Sequence, residues 1–388
     1  MSKIAFNFKL NTNVLFGADK IFEITEFISV RKYKKIAVII DFRVDKSAYW
    51  QVFKKKLNKS AELSVYFINR KMEPTYQYLD EVRIEFAKKL DCIIGVGGGS
   101  TMDVAKAISV LTANKKPAII YRGFDLIENP GVPLILVPST AGSGSEITPF
   151  AVFIDEKEKR KFGINSAKYL PVLTVIDPKM TLTCPSSVTI ASGMDAIIHA
   201  LESFAAKKHT LISRLFSKAA FPLLFNNIEM AVNNPDNLQA RTNISLGAFY
   251  AGIALFNSAA GPAGVLSYPL GTLFNVTHGL AGAVFIHKIV EFNVMHGYDD
   301  YSELFDLIDN KYKTDLKTIH SKSKMFLECF NNLCKKLKIP KKLNYFGMEK
   351  SDIDLFMNHL KLLWTSVDQN PVLITEKDIR KTLDKMID

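Results

Sequence analysis

Apolar positions in the first half of the chain fall in short continuous runs separated by amphipathic stretches. Lys35-Ile36-Ala37-Val38-Ile39-Ile40-Asp41 is apolar except at its ends, as a strand covered on both faces of a parallel sheet should be. Ser64–Phe67, Asp91–Val96 and Pro133–Pro138 are three further strand runs, and Tyr76–Leu90 carries helical spacing. Strands alternating with helices predict right-handed crossovers and an α/β, doubly wound parallel sheet. From about Pro185 the spacing becomes helical, and strand signals nearly vanish. Helices are expected over Gly193–Ala206, Ser213–Val232, Pro235–Ala254, His278–Val294, Ser321–Leu337 and Ser351–Trp364, the third opening on Asn234 as N-cap and Pro235 at the first helical position. The breaker residues from Asp177-Pro178 to Cys184-Pro185 mark a boundary. Two domains are therefore predicted: 1–183, α/β, and 184–388, all α.

Composition changes this picture little. Of 388 residues, 48% are apolar and 23% charged, an ordinary globular balance. The N-terminus has no long apolar core of a signal peptide, and no run approaches the roughly 20 residues that span a bilayer. Cys92, Cys184, Cys329 and Cys334 form no disulfide or metal-ligand pattern and read as reduced thiols, which points to the cytoplasm. The net charge of +11 is concentrated between Lys311 and Lys342, where Lys alternates with apolar residues at helical spacing. That is a solvated helix face rather than a nucleic-acid or membrane surface, because no nucleic-acid motif accompanies it.

Chemistry first shows in the loops that leave the strands. Gly97-Gly98-Gly99-Ser100-Thr101-Met102-Asp103 follows a strand and opens a helix. Bare glycine backbone lets a pyrophosphate come close, and the helix N-terminus supplies N–H groups and positive dipole. The spacing is not G-x-G-x-x-G, so the turn reads either as a phosphate cradle or as a tight turn. Asp41, at the end of the first strong strand, reads either as a ribose acceptor or as a solvated acid. Pro138-Ser139-Thr140-Ala141-Gly142-Ser143-Gly144-Ser145 is a second small-residue loop after a strand.

Asp195 and His199 stand four apart on a predicted helix and so share a face, where they form either a metal-ligand pair or a surface hydrogen bond. His278 sits at a loop-to-helix junction, and His287 is either a partner or a core histidine. His209, His296, His320 and His359 join no constellation.

Together the segments GGGSTMDVAK, PSTAGSGSE, KFGINSAKYLPVLTVIDP, SGMDAIIHALESF, YPLGTLFNVTHGLAGAVFIHKIVEFN and NPVLITEKDIRKTLDKM resemble, in order and over nearly the whole chain, the iron-containing (group III) alcohol dehydrogenases. The resemblance implies a dinucleotide-binding domain, a helical domain, an active site in the cleft between them and a homodimer. It carries cofactor contacts to Asp41, Gly98, Gly99, Ser100, Asp103, Thr140, Ser143 and Lys161, and metal ligands to Asp195, His199 and His278. An acid at position 41 favours NAD over NADP. The family's fourth ligand histidine falls on Gly264, fourteen residues before His278, and Tyr268 stands where many members carry a second histidine. The implied divalent metal, Fe or Zn, is therefore held weakly by three ligands or not held.

The expected reaction is hydride transfer between a nicotinamide and a small alcohol or aldehyde; a bound metal would polarise the carbonyl, and without one Tyr268 and His278 are the groups left to donate a proton or hydrogen bond, Tyr268 reading alternatively as a core aromatic beside Pro269. The Ser-Tyr-Pro-Leu segment resembles reductases of phosphonoacetaldehyde and, more loosely, oxidases of eight-carbon sugar acids, both acting on anions. Two other classes compete: dehydroquinate-synthase relatives with unconsumed NAD, and non-catalytic nucleotide binders.

Overall fold

The computed structural model describes residues 6–68, 73–86, 89–309, 316 and 318–387. The chain divides into two compact units: Leu10–Pro185 with Pro235–Ser245, and Ser186–Asn234 with Leu246–Asp388 and the described part of Met1–Lys9.

Among its described residues the first unit holds nine strands: β1 (Asn13–Phe16), β2 (Lys35–Asp41), β3 (Glu62–Ile68), β4 (Cys92–Gly97), β5 (Gly123–Phe124), β6 (Leu134–Pro138), β7 (Phe150–Asp155), β8 (Arg160–Asn165) and β9 (Leu173–Ile176). Its helices are α1 (Ile24–Val30), α2 (Phe42–Asp45), α3 (Ala48–Leu57), α4 (Tyr76–Glu85) and α5 (Gly99–Leu111). Six strands form one parallel sheet in the order β1-β9-β6-β4-β2-β3. The alternating strand residues feed two apolar layers. Ala37, Ile39 and Ile93 face one cluster with Leu79 and Ile108; Val38, Ile40 and Ile94 face the other with Trp50 and Phe53. That two-sided burial explains why these strands read as continuous apolar runs.

The chain runs outward from β2 to β3, then returns to lay β4 on the other side of β2. The order reverses between β2 and β4, so loops leaving their carboxyl ends diverge and open a crevice there. Ile40 pairs with Val96 and Gly97 with Pro138, which brings the ends of β2, β4 and β6 level.

β1, β9 and the antiparallel β7–β8 hairpin lack the long apolar runs of the central strands and escape the sequence pattern. β1 is only partly buried, β9 has four residues, and each strand of the hairpin has only two buried positions.

The second unit contains no strand among its described residues. Its helices are α6 (Ser186–Ala205), α7 (Leu211–Phe225), α8 (Ile228–Asn233), the later part of α9 (Leu238–Phe256), α10 (Pro262–Phe274), α11 (His278–Met295), α12 (Tyr301–Phe305), α13 (Ile319–Lys336), α14 (Ile353–Leu360), α15 (Trp364–Val367) and α16 (Glu376–Ile387). No described helix is long and apolar enough to cross a membrane. All four cysteines are free and buried.

Two helical expectations are corrected, and one helix was not foreseen. Ser213–Val232 is two helices, broken at Asn226-Asn227, where the Asn227 amide donates to Leu223 O at 2.9 Å and competes with the helix backbone. The next helix starts at Leu238, not Pro235; Asn234 ends α8, and Asn237 Oδ1 accepts Ala240 N–H at 2.9 Å. Helix α10 was not legible, because Gly264, Pro269 and Gly271 interrupt its pattern. Of the charged stretch that begins at Lys311, Ile319–Lys336 is a helix, while residues 311–315 and 317 lie outside the described residues.

Lys106 fastens α5 to the β7 segment from inside the core. It is fully buried, and its Nζ donates to Thr148 O at 3.0 Å and Phe150 O at 2.8 Å. Asp103, 3.9 Å from that ammonium, accepts Ser145 Oγ–H at 2.5 Å and Val152 N–H at 3.0 Å. Burial pulls the Lys106 pKa down to about 8 and pushes that of Asp103 up. Lys106→Met should cost about 3–5 kcal/mol, since two carbonyls and a buried carboxylate lose their partner. Chemical denaturation followed by fluorescence measures it, and a loss under about 1 kcal/mol would show the cluster to be energetically idle.

Candidate active site and metal centre

Helix α6 carries Asp195 and His199 four residues apart, 6% and 9% exposed. One turn further, Glu202 lies on the same face. The second wall is the α10–α11 hairpin. Asn275 ends α10 in the left-handed conformation, φ 58°, and three residues later His278 opens α11. Gly279 follows because nothing larger fits. A Cβ there would lie 2.1 Å from Ala191 O, so the bare residue lets the first turn of α11 rest on the α6 backbone.

This contact brings His278 Nε2 to 3.6 Å and His199 Nε2 to 3.7 Å from Asp195 Oδ1. One ligand atom from each residue lies within 4.8 Å of the others, the one such metal-binding grouping among the described residues. A carboxylate and two imidazoles suit Fe(II) or Zn(II) with open positions. His199 Nδ1, the ring nitrogen turned away from this group, is buried without a hydrogen-bond partner in the structure, so the case for an ion rests on the donor set and not on that atom. The donor set fits a divalent cation.

His287 stands apart from this group. It is 6% exposed, and burial pushes its pKa down to about 4, so it is a neutral core histidine. His209, His296 and His320 bond to Ala206 O, Phe292 O and Asp299 Oδ1.

Gly264 lies in the first turn of α10, and its φ is not positive. Its backbone therefore accepts a side chain; a Cβ would meet Glu202 Oε2 at 3.0 Å. Tyr268, half-buried one turn on, sets its ring edge-on to His278 with centroids 5.4 Å apart.

Two residues that lie inside the quoted segments, but to which the sequence assigned no role, shape this wall. Glu202 is buried and accepts N–H groups from Gly261 at 2.8 Å, Ala263 at 2.6 Å and Gly264 at 3.3 Å. It caps α10 from another helix, and its i+7 spacing from Asp195 was the available signal. Ser267 is fully buried, its Oγ 2.6 Å from His278 Nδ1.

In the first unit, Asp41, Gly98, Gly99, Ser100, Thr140 and Ser143 gather at the level ends of β2, β4 and β6. Asp41 accepts Arg43 N–H at 2.8 Å and caps α2. Gly98 is the N-cap of α5, so no side chain covers that helix end. A Cβ on Gly98 would meet Thr140 at an ordinary 3.5 Å, whereas one on Gly99 would strike Ser143 Oγ at 2.8 Å. An uncapped helix N-terminus lined by small hydroxyls fits a pyrophosphate. Asp103 is engaged with Ser145 and Val152, and Lys161 is ion-paired to Glu73 at 2.5 Å.

Two family profiles match the chain: "Iron-containing alcohol dehydrogenase" over residues 11–178, and "Fe-containing alcohol dehydrogenase family, C-terminal" over residues 189–387. The NAD-dependent methanol dehydrogenase of Bacillus methanolicus is 30% identical over 295 residues, 76% of either chain. The sulfoacetaldehyde reductase of Bilophila wadsworthia is 31% identical over 263 residues, 68% of either chain. An alcohol dehydrogenase structure from Oenococcus oeni superposes with a TM-score of 0.91 at 28% identity, covering 98% of this chain and 100% of that one.

Burial pushes the Glu202 pKa up from 4.5 to about 7, against the lowering effect of its three backbone donors. The folded state thus holds this proton more tightly than the unfolded state. Stability should be greatest below about pH 4.5 in this respect and fall as pH rises to about 7, by roughly 3 kcal/mol. Glu202→Gln should flatten that slope. Thermal melts at stepped pH compare the two proteins, and parallel slopes would rule out Glu202 as their source.

Proposed function

Because the chain belongs to the iron-containing alcohol dehydrogenase family, whose members are oxidoreductases acting on CH–OH groups, we propose that it transfers a hydride between NAD(H) and a small alcohol or aldehyde. Short anionic aldehydes are the substrate class of choice. The sulfoacetaldehyde reductase relative and the net charge of +11 support that class. The observation that carries the reading is the convergence of Asp195, His199 and His278. Cofactor binding is assigned to residues 1–183, and metal and substrate binding to residues 184–388. A cytoplasmic location is supported by four free, buried cysteines, and a homodimer by the family resemblance.

When bound, the nicotinamide carries the hydride and the divalent cation, Fe or Zn, polarises the carbonyl. Asp195, His199 and His278 hold that cation. Asp195 is the one anionic side chain of the three and offsets part of the ion's charge. Tyr268 Oη is assigned the hydrogen bond or proton to the substrate oxygen. Gly98 and Gly99 leave backbone N–H groups open to the pyrophosphate, with Ser100, Thr140 and Ser143 around it and Asp103 and Lys161 as further contacts. Asp41 receives the adenine ribose.

Steady-state NADH oxidation should appear with short sulfonated or phosphonated aldehydes in the metal-supplemented protein. NAD that stays bound and unconsumed across the whole aldehyde panel would defeat the proposal. The charge of Asp41 opposes a 2′-phosphate, so kcat/KM for NADH should exceed that for NADPH by roughly tenfold or more. Asp41→Gly should narrow that gap, and equal use of both cofactors by the unaltered protein would refute the assignment.

Three protein ligands should hold the metal weakly, so dialysis against a chelator should strip it. Gly264→His should raise metal affinity by roughly tenfold, the scale of a single contact at such a site. The Glu202 carboxylate must yield a few tenths of an ångström to admit the new side chain, so a thermal melt accompanies the metal titration. A stoichiometric metal that survives chelation in the unaltered protein, or a stable Gly264→His variant with no gain, would overturn this point.

A further inference from the structure

A neutral imidazole offers a lone pair on one nitrogen only, so a histidine ligand works when its other nitrogen carries the proton. His278 turns Nε2 toward Asp195, at 3.6 Å, and Nδ1 toward Ser267 Oγ, at 2.6 Å. Ser267 is fully buried in α10, and its Oγ also lies 2.5 Å from Gly264 O. A carbonyl oxygen only accepts. The hydroxyl proton is therefore committed to Gly264, and the Ser267 oxygen meets His278 with a lone pair. Nδ1 must supply the proton of that second bond.

We propose that Ser267 is a positioning residue, which locks His278 as the Nδ1–H tautomer and aims its Nε2 lone pair at Asp195 and the cation site. The role rests on the metal reading given above. Serines inside helices often bond to a carbonyl one turn back, and that arm alone is ordinary backbone satisfaction. The second arm is not local: it crosses from α10 to the first residue of α11 and ends on a ligand ring. It also gives position 264 a part in the site without an imidazole. The Gly264 carbonyl fixes the hydroxyl, the hydroxyl fixes the ring, and the ring offers Nε2.

The test uses protein labelled with 15N in its seven histidines, freed of metal, at a pH of about 8.5 where ordinary imidazoles are neutral. Long-range 15N–1H correlation should show His278 with a protonated Nδ1 and a bare Nε2. Ser267→Ala should lose that preference and weaken Co(II) or Zn(II) binding by about 10–100-fold, while Ser267→Thr, which keeps the hydroxyl, should retain both. An Nε2–H tautomer in the unaltered protein would overturn the proposal, as would a folded Ser267→Ala variant with unchanged tautomer and metal affinity. If Ser267→Ala does not fold, the unaltered protein's tautomer and the threonine variant still decide. A tautomer that depends on Ser267 in a protein that binds no divalent ion supports Ser267 and sinks only the metal reading.

Discussion

The Glu202 carboxylate accepts the N–H groups of Gly261, Ala263 and Gly264, from 59 to 62 residues away in sequence. Those are the groups that a helix leaves without partners at its N-terminus. By taking them, a side chain on α6 fixes where α10 begins and at what angle it starts. Ser267 and Tyr268 follow within two turns, and the Asn275 turn then delivers His278. One buried acid thus sets the distance between the helix that carries Asp195 and His199 and the hairpin that carries the third donor. Desolvation of that acid is the cost of the arrangement, and its raised pKa records it.

The first unit solves a different problem with less specialised parts. A parallel sheet covered on both faces needs only apolar runs and crossover helices, and the reversal of strand order between β2 and β4 opens a crevice without help from any one residue. What marks the crevice is the small size of the residues at its lip. Gly98, Gly99, Ser100, Thr140 and Ser143 leave the backbone of α5's first turn uncovered. The buried Asp103–Lys106 pair lies one turn deeper and ties the same helix to the β7 hairpin.

Much of this was legible in the sequence where the signal is local. The runs of β2, β4 and β6 announce two-sided burial, and the four-residue spacing of Asp195 and His199 announces a shared helix face. Helix α10 was hidden because its glycines and Pro269 are read as breakers. Gly261 and Gly264 lie directly against Glu202, and Pro269 lacks only one N–H in a helix anchored at its N-terminus by that carboxylate. Glu202 and Ser267 were hidden for another reason. Each acts on partners that only the folded chain brings near, and neither partner leaves a periodic trace. The start of α9 was misplaced because an Asn-Pro pair and an Asn three residues later give competing caps, and the hydrogen bond of Asn237 decides between them.

Position 264 separates two duties that a ligand residue elsewhere combines. Its N–H belongs to Glu202 and its C=O to Ser267, so the scaffold depends on its backbone and on no side chain. Asp195 and His199 enjoy no such division, since their side chains are the wall itself. A side chain at 264 can therefore be exchanged without breaking either main-chain bond, provided the Glu202 carboxylate yields a few tenths of an ångström.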